Sequence, residues 1–501
     1  MRALPRVVTL VVVGGALAGG LLVDRDRPAP EPPATFGRAV QLPMAVVPSP
    51  DAVSTSWYCP GVPTNEDGTA NGEVNVVNVG TTTAQVVVHA VPADPAVDVA
   101  DPKRFDLVVG ARQDVRVAEL APAPPTSPAP FAGAVVEVFG GLVVAEQTVI
   151  GGEGRDTTPC AREASGAWYL ADGVTTDGAT LTYTVLNPFP DAAVLDVTLA
   201  TDRGPAEPQA LQGFVVPGRS MRTIVVGDHV RDRAQVAAAL VARTGRVVVG
   251  RIQTFGAPDP RRGLASSPGA PSLSTDHVFT SIQKADGVDA RLVVYNPGES
   301  EAVSLVELRP VGGVDPALGE PEPLELTVPA RSAATLDLAT EETVAPGLYV
   351  ATVRSSNGVP VAVERVVDRS AATGVAGHAV TVGSTLAAAR WVVALGATAG
   401  GFSEYVEVAN PTDEAVTFTV TGLDGAPLGP GLVDVPVGPF ATTTVDLGVV
   451  VQQPQLGVVV VATGDVVVQR DLTGGLPPTP TPQPQATSQS PGVPYEPVVV
   501  P

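Results

Sequence analysis

Lysine is almost missing from this chain: Lys103 and Lys284 are the only two among 501 residues, and the other 28 basic residues are arginine. Methionine (3), cysteine (2) and histidine (4) are equally sparse, and aromatic residues make up 4%. Two cysteines in a chain this long exclude a disulfide-stapled miniprotein, because several hydrophobic cores can form instead. Basic residues number 30 against 52 acidic ones, a net charge of −22 that argues against nucleic acid or anionic lipid as a partner. The nucleophile-elbow pattern GxSxG is missing, its nearest string being GFSEY at residues 401–405. Neither lysine follows a glycine, so no phosphate-binding loop exists. His89, His229, His277 and His378 stand apart, without HxH or HExxH spacing. These gaps lead us to expect no catalytic residues, no metal ligands and no cofactor.

What is abundant is valine, with 89 residues, together with 52 Gly and 51 Pro. Valine is stiff at χ1 and suits a pleated sheet, while Gly and Pro punctuate turns. The expected fold class is therefore all-β, made of many short antiparallel strands.

Residues 7–23 are uncharged and follow Arg2 and Arg6, so they form either a cleaved signal peptide or a membrane anchor whose basic side stays inside. The remainder is then extracytoplasmic, secreted or held by a single N-terminal pass. In an oxidising compartment Cys59 and Cys160 pair as a disulfide.

A long internal repeat organises the body. An aromatic residue opens each unit: Trp57, Trp168, Phe279 and Trp391. A strand ending in an Asn turn follows, at Asn78, Asn187, Asn296 and Asn410, spaced by 109, 109 and 114 residues. The strings VVPGRS (215–220), TVPARS (327–332) and DVPVGP (434–439) keep the same order, with VVGARQ (108–113) as a faded first copy. Each unit closes with two Val-rich strands around Gly141, Gly245, Gly358 or Gly464, a hairpin signal. Seven strands per unit predict four tandem β-sandwiches at 46–160, 161–265, 266–375 and 376–474. Ahead of them lie the signal or anchor (1–23) and a Pro-rich spacer (24–45); behind them, 475–501 reads as a disordered Pro/Thr/Ser/Gln-rich tail. Residues 231–242 have helical propensity, but the repeat frame predicts strand from Val236 onward.

The strand–NP–turn–strand unit, clearest in LVVYNPGESEAVSLVEL (292–308), resembles adhesion-type, Ig-like β-sandwich modules of bacterial surface proteins. From the apolar segment through WYCP at Trp57 to the NP turns, residues 1–475 resemble an actinobacterial exported family of unknown function. The resemblance implies a sandwich fold and a surface location, and it carries no activity and no site residues.

Two sets of residues invite a functional reading. Arg219 and Arg331 sit in the VPxRS turns, and Arg251, Arg365 and Arg470 close the last strands. They read either as structural ion pairs or as a row of guanidinium groups that grips an anionic wall polymer once per unit. Unit one departs from that row with Glu146-Gln147. Acidic turn residues (Glu66, Asp67, Asp172, Asp177, Asp286) leave a glycosidase-like pair open, although most precede Gly and read first as turns. The expectation is an envelope-associated structural or binding protein, a semi-rigid rod of sandwiches engaging wall polysaccharide or another envelope protein. The alternative is a carbohydrate-active enzyme or accessory with an acidic site between sandwiches.

Overall fold

The computed structural model describes residues 42–312, 321–474 and 486–500. The signal or anchor segment and most of the Pro-rich spacer lie outside these residues. Within them the chain is all-β, and its helical elements are short 3₁₀ turns. No helix among the described residues is long and apolar enough to cross a membrane.

The first sandwich contains eight strands: β1 (Ser54–Pro63), β2 (Asn71–Asn78), β3 (Ala84–Pro92), β4 (Lys103–Leu107), β5 (Arg112–Arg116), β6 (Phe131–Phe139), β7 (Val143–Gly151) and β8 (Gly154–Pro159). One sheet runs β1-β6-β3-β4 and the other β5-β2-β7-β8, every pair antiparallel. The immunoglobulin partition keeps the first strand with the second and the seventh with the sixth. Here the two are exchanged, so the first strand pairs with the sixth and the seventh with the second. The other three sandwiches keep this order; the second adds a short strand, Gly204–Ala206, beside its third, and in the fourth, strands six and seven fuse into one run, Leu456–Gly474.

Strand alternation explains the cores. In β2, Val74 and Val76 face β6 residues such as Val136 and Val138 across the sandwich, and all four are at most 1% exposed. Each opening aromatic is buried in its own core, and the three indoles donate to a carbonyl at the sixth-to-seventh turn: Trp57 to Val143, Trp168 to Val247, Trp391 to Val466. The Asn turns are equally regular. Each side-chain oxygen accepts the N–H two residues on (Gly80, Phe189, Gly298, Thr412), and each amide donates to the carbonyl four residues on (Thr82, Asp191, Ser300, Glu414). The same amide donates across to the end of the fourth strand at Leu107, Val216, Val328 or Gly438. These buried amides satisfy backbone groups that the turn would orphan, so the spacing seen in sequence is a hydrogen-bond requirement.

The eighth strand corrects the sequence reading and shifts the unit boundaries. Gly154–Pro159, Gly263–Pro268, Gly377–Val382 and Ala486–Pro491 each complete a sandwich. The boundary expected at 265 therefore cuts a strand, and the one at 375 leaves a strand with the wrong unit. The supposed disordered tail is ordered from 486: Ala486–Pro491 pairs with the fused strand, and Val493–Pro494 and Val498–Val499 pair with the first strand of sandwich four. Residues 475–485 lie outside the described residues. The spacer also ends in structure, because Met44 packs on the fourth core, and just beyond it Val47 N–H donates to the Pro494 carbonyl. Residues 231–235 are irregular, and the strand begins at Val236.

The four eighth strands meet one another in cyclic order, the first against the second, the third against the second, the fourth against the third, and the first against the fourth. Ser266 N–H donates to Asp156, Thr157 N–H to Ser488 Oγ, and Thr381 Oγ1 to the Gln489 carbonyl. Among the described residues the four sandwiches thus close into a ring rather than a rod. Cys59 and Cys160 are joined, Cα atoms 4.5 Å apart, tying β1 to the exit of β8 as expected.

Candidate functional site

Arg251, Arg365 and Arg470 occupy equivalent places on the seventh strands and are each 1% exposed. Their Nη1 groups donate to the carbonyls of Asp172, Ser281 and Leu395, just past the opening aromatic of the same sandwich. Each meets acid from the next sandwich round the ring. Arg251 pairs with Glu364 at 3.0 Å, Arg470 reaches Glu146 at 4.0 Å, and Arg365 lies in the field of Glu407. Glu407 is itself held by Thr280 and Ser281 hydroxyls at 2.6 and 2.7 Å.

The missing arginine of unit one now has a physical reason. Gln147 takes its place, accepting the Gly61 N–H at 3.3 Å, and the acid of the following sandwich is replaced by Gly250, packed on Pro60. A buried cation and its partner acid are dropped together, which avoids an unpaired buried charge. These three buried arginines tie one sandwich to the next, so a row of five gripping a polymer is not what the structure builds. Arg331 is engaged too, with Glu207 of sandwich two, while Arg219 remains exposed at a turn.

Burial pushes up the carboxyl pKa values at the seam between the fourth and first sandwiches. Asp156 and Glu404 are each raised to about 7, and Glu146 is raised, with Arg470 opposing burial at all three. Among the turn acids, Asp67 is held below its usual value by Thr69, and the Asp172 backbone serves the Arg251 tie.

The turn between the fourth and fifth strands of one sandwich faces the outer sheet of the preceding one. At its tip stand Gly110, Arg219, Arg331 and Phe440, all with φ between 49° and 73°. Arg219, Arg331 and Phe440 donate their N–H to the Asn turn, at Phe189, Gly298 and Thr412. The string match at DVPVGP is therefore two residues out of register: Val437, not Val435, is equivalent to Val216 and Val328. Because of that slip, sequence reasoning did not find Phe440.

Two of these contacts are filled at the turn tip, and the one between sandwiches one and two is bridged beside an exposed Arg219. Gly110 lies against Asp424 so closely that a Cβ would come within 2.8 Å. Arg222 of sandwich two donates to the Ala93 carbonyl of sandwich one. Arg331 caps Glu207, leaving a gap of about 10 Å³. Between sandwiches three and four, the same contact opens into a cleft of about 500 Å³. Its floor is the outer face of the third sandwich's first sheet: Asp276, Val278, Leu305, Glu307, Arg309, Val350, Thr352 and Arg354. Its opposite wall is the Asn410–Asp413 turn and Phe440. Arg309 lies over the Phe440 ring at 4.4 Å and beside Glu307 at 3.6 Å; Arg354 pairs with Asp276 at 2.7 Å. His277 is 4% exposed, and burial pushes its pKa down to about 4, so it stands neutral at the cleft base.

A second cavity of about 320 Å³ opens at the same interface, lined by Arg365, Arg369, Tyr405, Glu407, Asp471 and Gln489. Burial raises Glu407, and Asp471 is tied to Arg369 at 3.2 Å and to Gln489 at 2.9 Å. No curated protein sequence matches the chain. A family model does: residues 139–370, from the end of β6 through the seventh strand of sandwich three, are similar to the family of unknown function DUF5719.

Proposed function

We propose that this is an extracytoplasmic, envelope-associated binding protein that works without catalysis, a ring of adhesion-type sandwiches from an actinobacterial exported lineage. The observation that carries the binding role is the open contact between sandwiches three and four, at a place where the counterparts at Gly110 and Arg331 are filled. An outward cleft of mixed polarity on a rigid ring is what a recognition site requires, since little ordering entropy remains to be spent on binding. The Cys59–Cys160 bridge supports an oxidising compartment. Partners are a cell-wall polysaccharide or another envelope protein, with any membrane attachment through the N-terminal segment alone.

The test is retention: the immobilised full chain, exposed to detergent-solubilised cell envelope, should hold back polysaccharide or a defined envelope protein. Recovery no greater than on bare resin refutes the binding role. A second reading, a carbohydrate-active enzyme, is favoured by one observation, that Glu407 and Asp471 line one cavity between sandwiches. Hydrolysis of envelope glycan that disappears in Glu407→Gln, with the ring intact, would replace the first reading by the second.

A further inference from the structure

Phe440 holds an unusual backbone conformation for an aromatic residue. At φ 49° it sits in the left-handed region, where a bulky side chain is a genuine outlier. Its counterpart in sandwich one is glycine, and those in sandwiches two and three are arginines. The turn imposes this conformation at Arg219 and Arg331 too, and strain of this kind persists where surrounding contacts over-determine it. Arg309 from the neighbouring sandwich is stacked on the ring, so the planar cation and the aromatic face form one preorganised platform across the interface.

The rest of the lining narrows the ligand. Two guanidinium groups (Arg309, Arg354) and three carboxylates (Asp276, Glu307, Asp413) face the cleft, and His277 is neutral. A polyanion would meet three like charges here, on a chain of net charge −22. A lone cation would find Glu307 and Asp276 already engaged by Arg309 and Arg354. An apolar ligand would bury these charges without compensation. A neutral polyhydroxylated molecule suits all of them, because each hydroxyl both donates and accepts while its C–H faces lie on Val278, Leu305, Val350 and Phe440. The volume falls within the range of about 300–1,000 Å³ typical of small-molecule sites.

We infer that the cleft between sandwiches three and four is a saccharide-binding subsite for one or two neutral sugar units, with the Phe440–Arg309 pair as its platform and Glu307 and Arg354 as its hydroxyl-binding groups. This inference rests on the binding role proposed above and specifies its ligand. The test uses the full chain and saturation-transfer NMR with defined neutral sugars (glucose, galactose, mannose, rhamnose, N-acetylglucosamine and their disaccharides), with glucuronate and inorganic phosphate as anionic controls. Ring-proton transfer to at least one neutral sugar is expected, with at least a tenfold weaker interaction in Phe440→Ala and in Glu307→Gln. Arg331→Ala, at the filled counterpart contact, should bind as wild type does. Phe440→Gly relieves the backbone strain, so it should melt no lower than wild type while still losing the sugar, which separates misfolding from loss of the platform. No transfer from any neutral sugar, equal transfer in all variants, or preference for the anionic controls overturns the inference. Envelope retention that survives Phe440→Gly would leave the binding role standing and sink this subsite alone.

Discussion

Replacing Glu404 by glutamine should convert a pH-sensitive seam into a less sensitive one. Glu404 and Asp156 are buried where the fourth sandwich meets the first, the contact that closes the ring, and both are raised to about 7. A carboxyl whose folded pKa lies above its unfolded value gives its full stabilising contribution below the unfolded pKa, and loses it as pH rises through the folded one. The ring should therefore lose stability between about pH 4 and pH 8, opposite to the trend of a salt-bridged carboxylate. For Glu404 the rise from 4.5 to about 7 corresponds to about 3 kcal/mol, an upper figure because water entering the seam would reduce it. Glutamine keeps the shape without the titration, so Glu404→Gln should match wild type at pH 5 and exceed it at pH 8.5. With an unfolding entropy of roughly 1 kcal/mol per kelvin for a ring melting as one, the gain is about 3 °C in Tm at pH 8.5. Calorimetric scans from pH 4.5 to 9 measure it. A wild-type profile that climbs with pH over this range, or a variant profile parallel to wild type, would refute the reasoning.

The buried ties make a second prediction. Arg251→Met strands Glu364 without its cation and should cost about 3–5 kcal/mol in denaturant unfolding, and Arg251→Met/Glu364→Gln should recover most of that, since the amide oxygen still accepts the Asp172 N–H. The disulfide makes a third. Cys59 and Cys160 enclose a separation of 101 residues, so Cys59→Ser/Cys160→Ser should lose at most about 5 kcal/mol, with faster amide exchange in β1 and β8 and little change in sandwich three.

The repeat was legible in sequence because its markers meet fixed backbone demands. An Asn that must reach two carbonyls and one N–H, and a Trp that must reach one carbonyl, cannot drift along the chain, so their spacing showed. The eighth strands were not legible, because GRDTTP, GLASSP and ATSQSP lack apolar alternation and read as loop or tail. They are buried by one another at the ring centre, where small hydroxyl side chains pack, and no local pattern announces that setting. Ring closure was hidden for a different reason: the arginines could be read as structural ion pairs, but no sequence pattern shows that the partner acids lie on the next sandwich. The cleft was missed through the two-residue slip at DVPVGP, which drew attention away from Phe440.

Closure also fixes how this chain can vary through evolution. In an open array a repeat is gained or lost at the end, with the remaining contacts intact. Here every sandwich has two neighbours and contributes one strand to a shared centre, so the four contacts together must close one full turn. Copy number becomes a geometric constant: deleting or duplicating one unit leaves a gap or a clash that no single contact can absorb. Such a protein is expected to diverge within its units rather than in their number, as the cleft at one of four equivalent contacts already exemplifies.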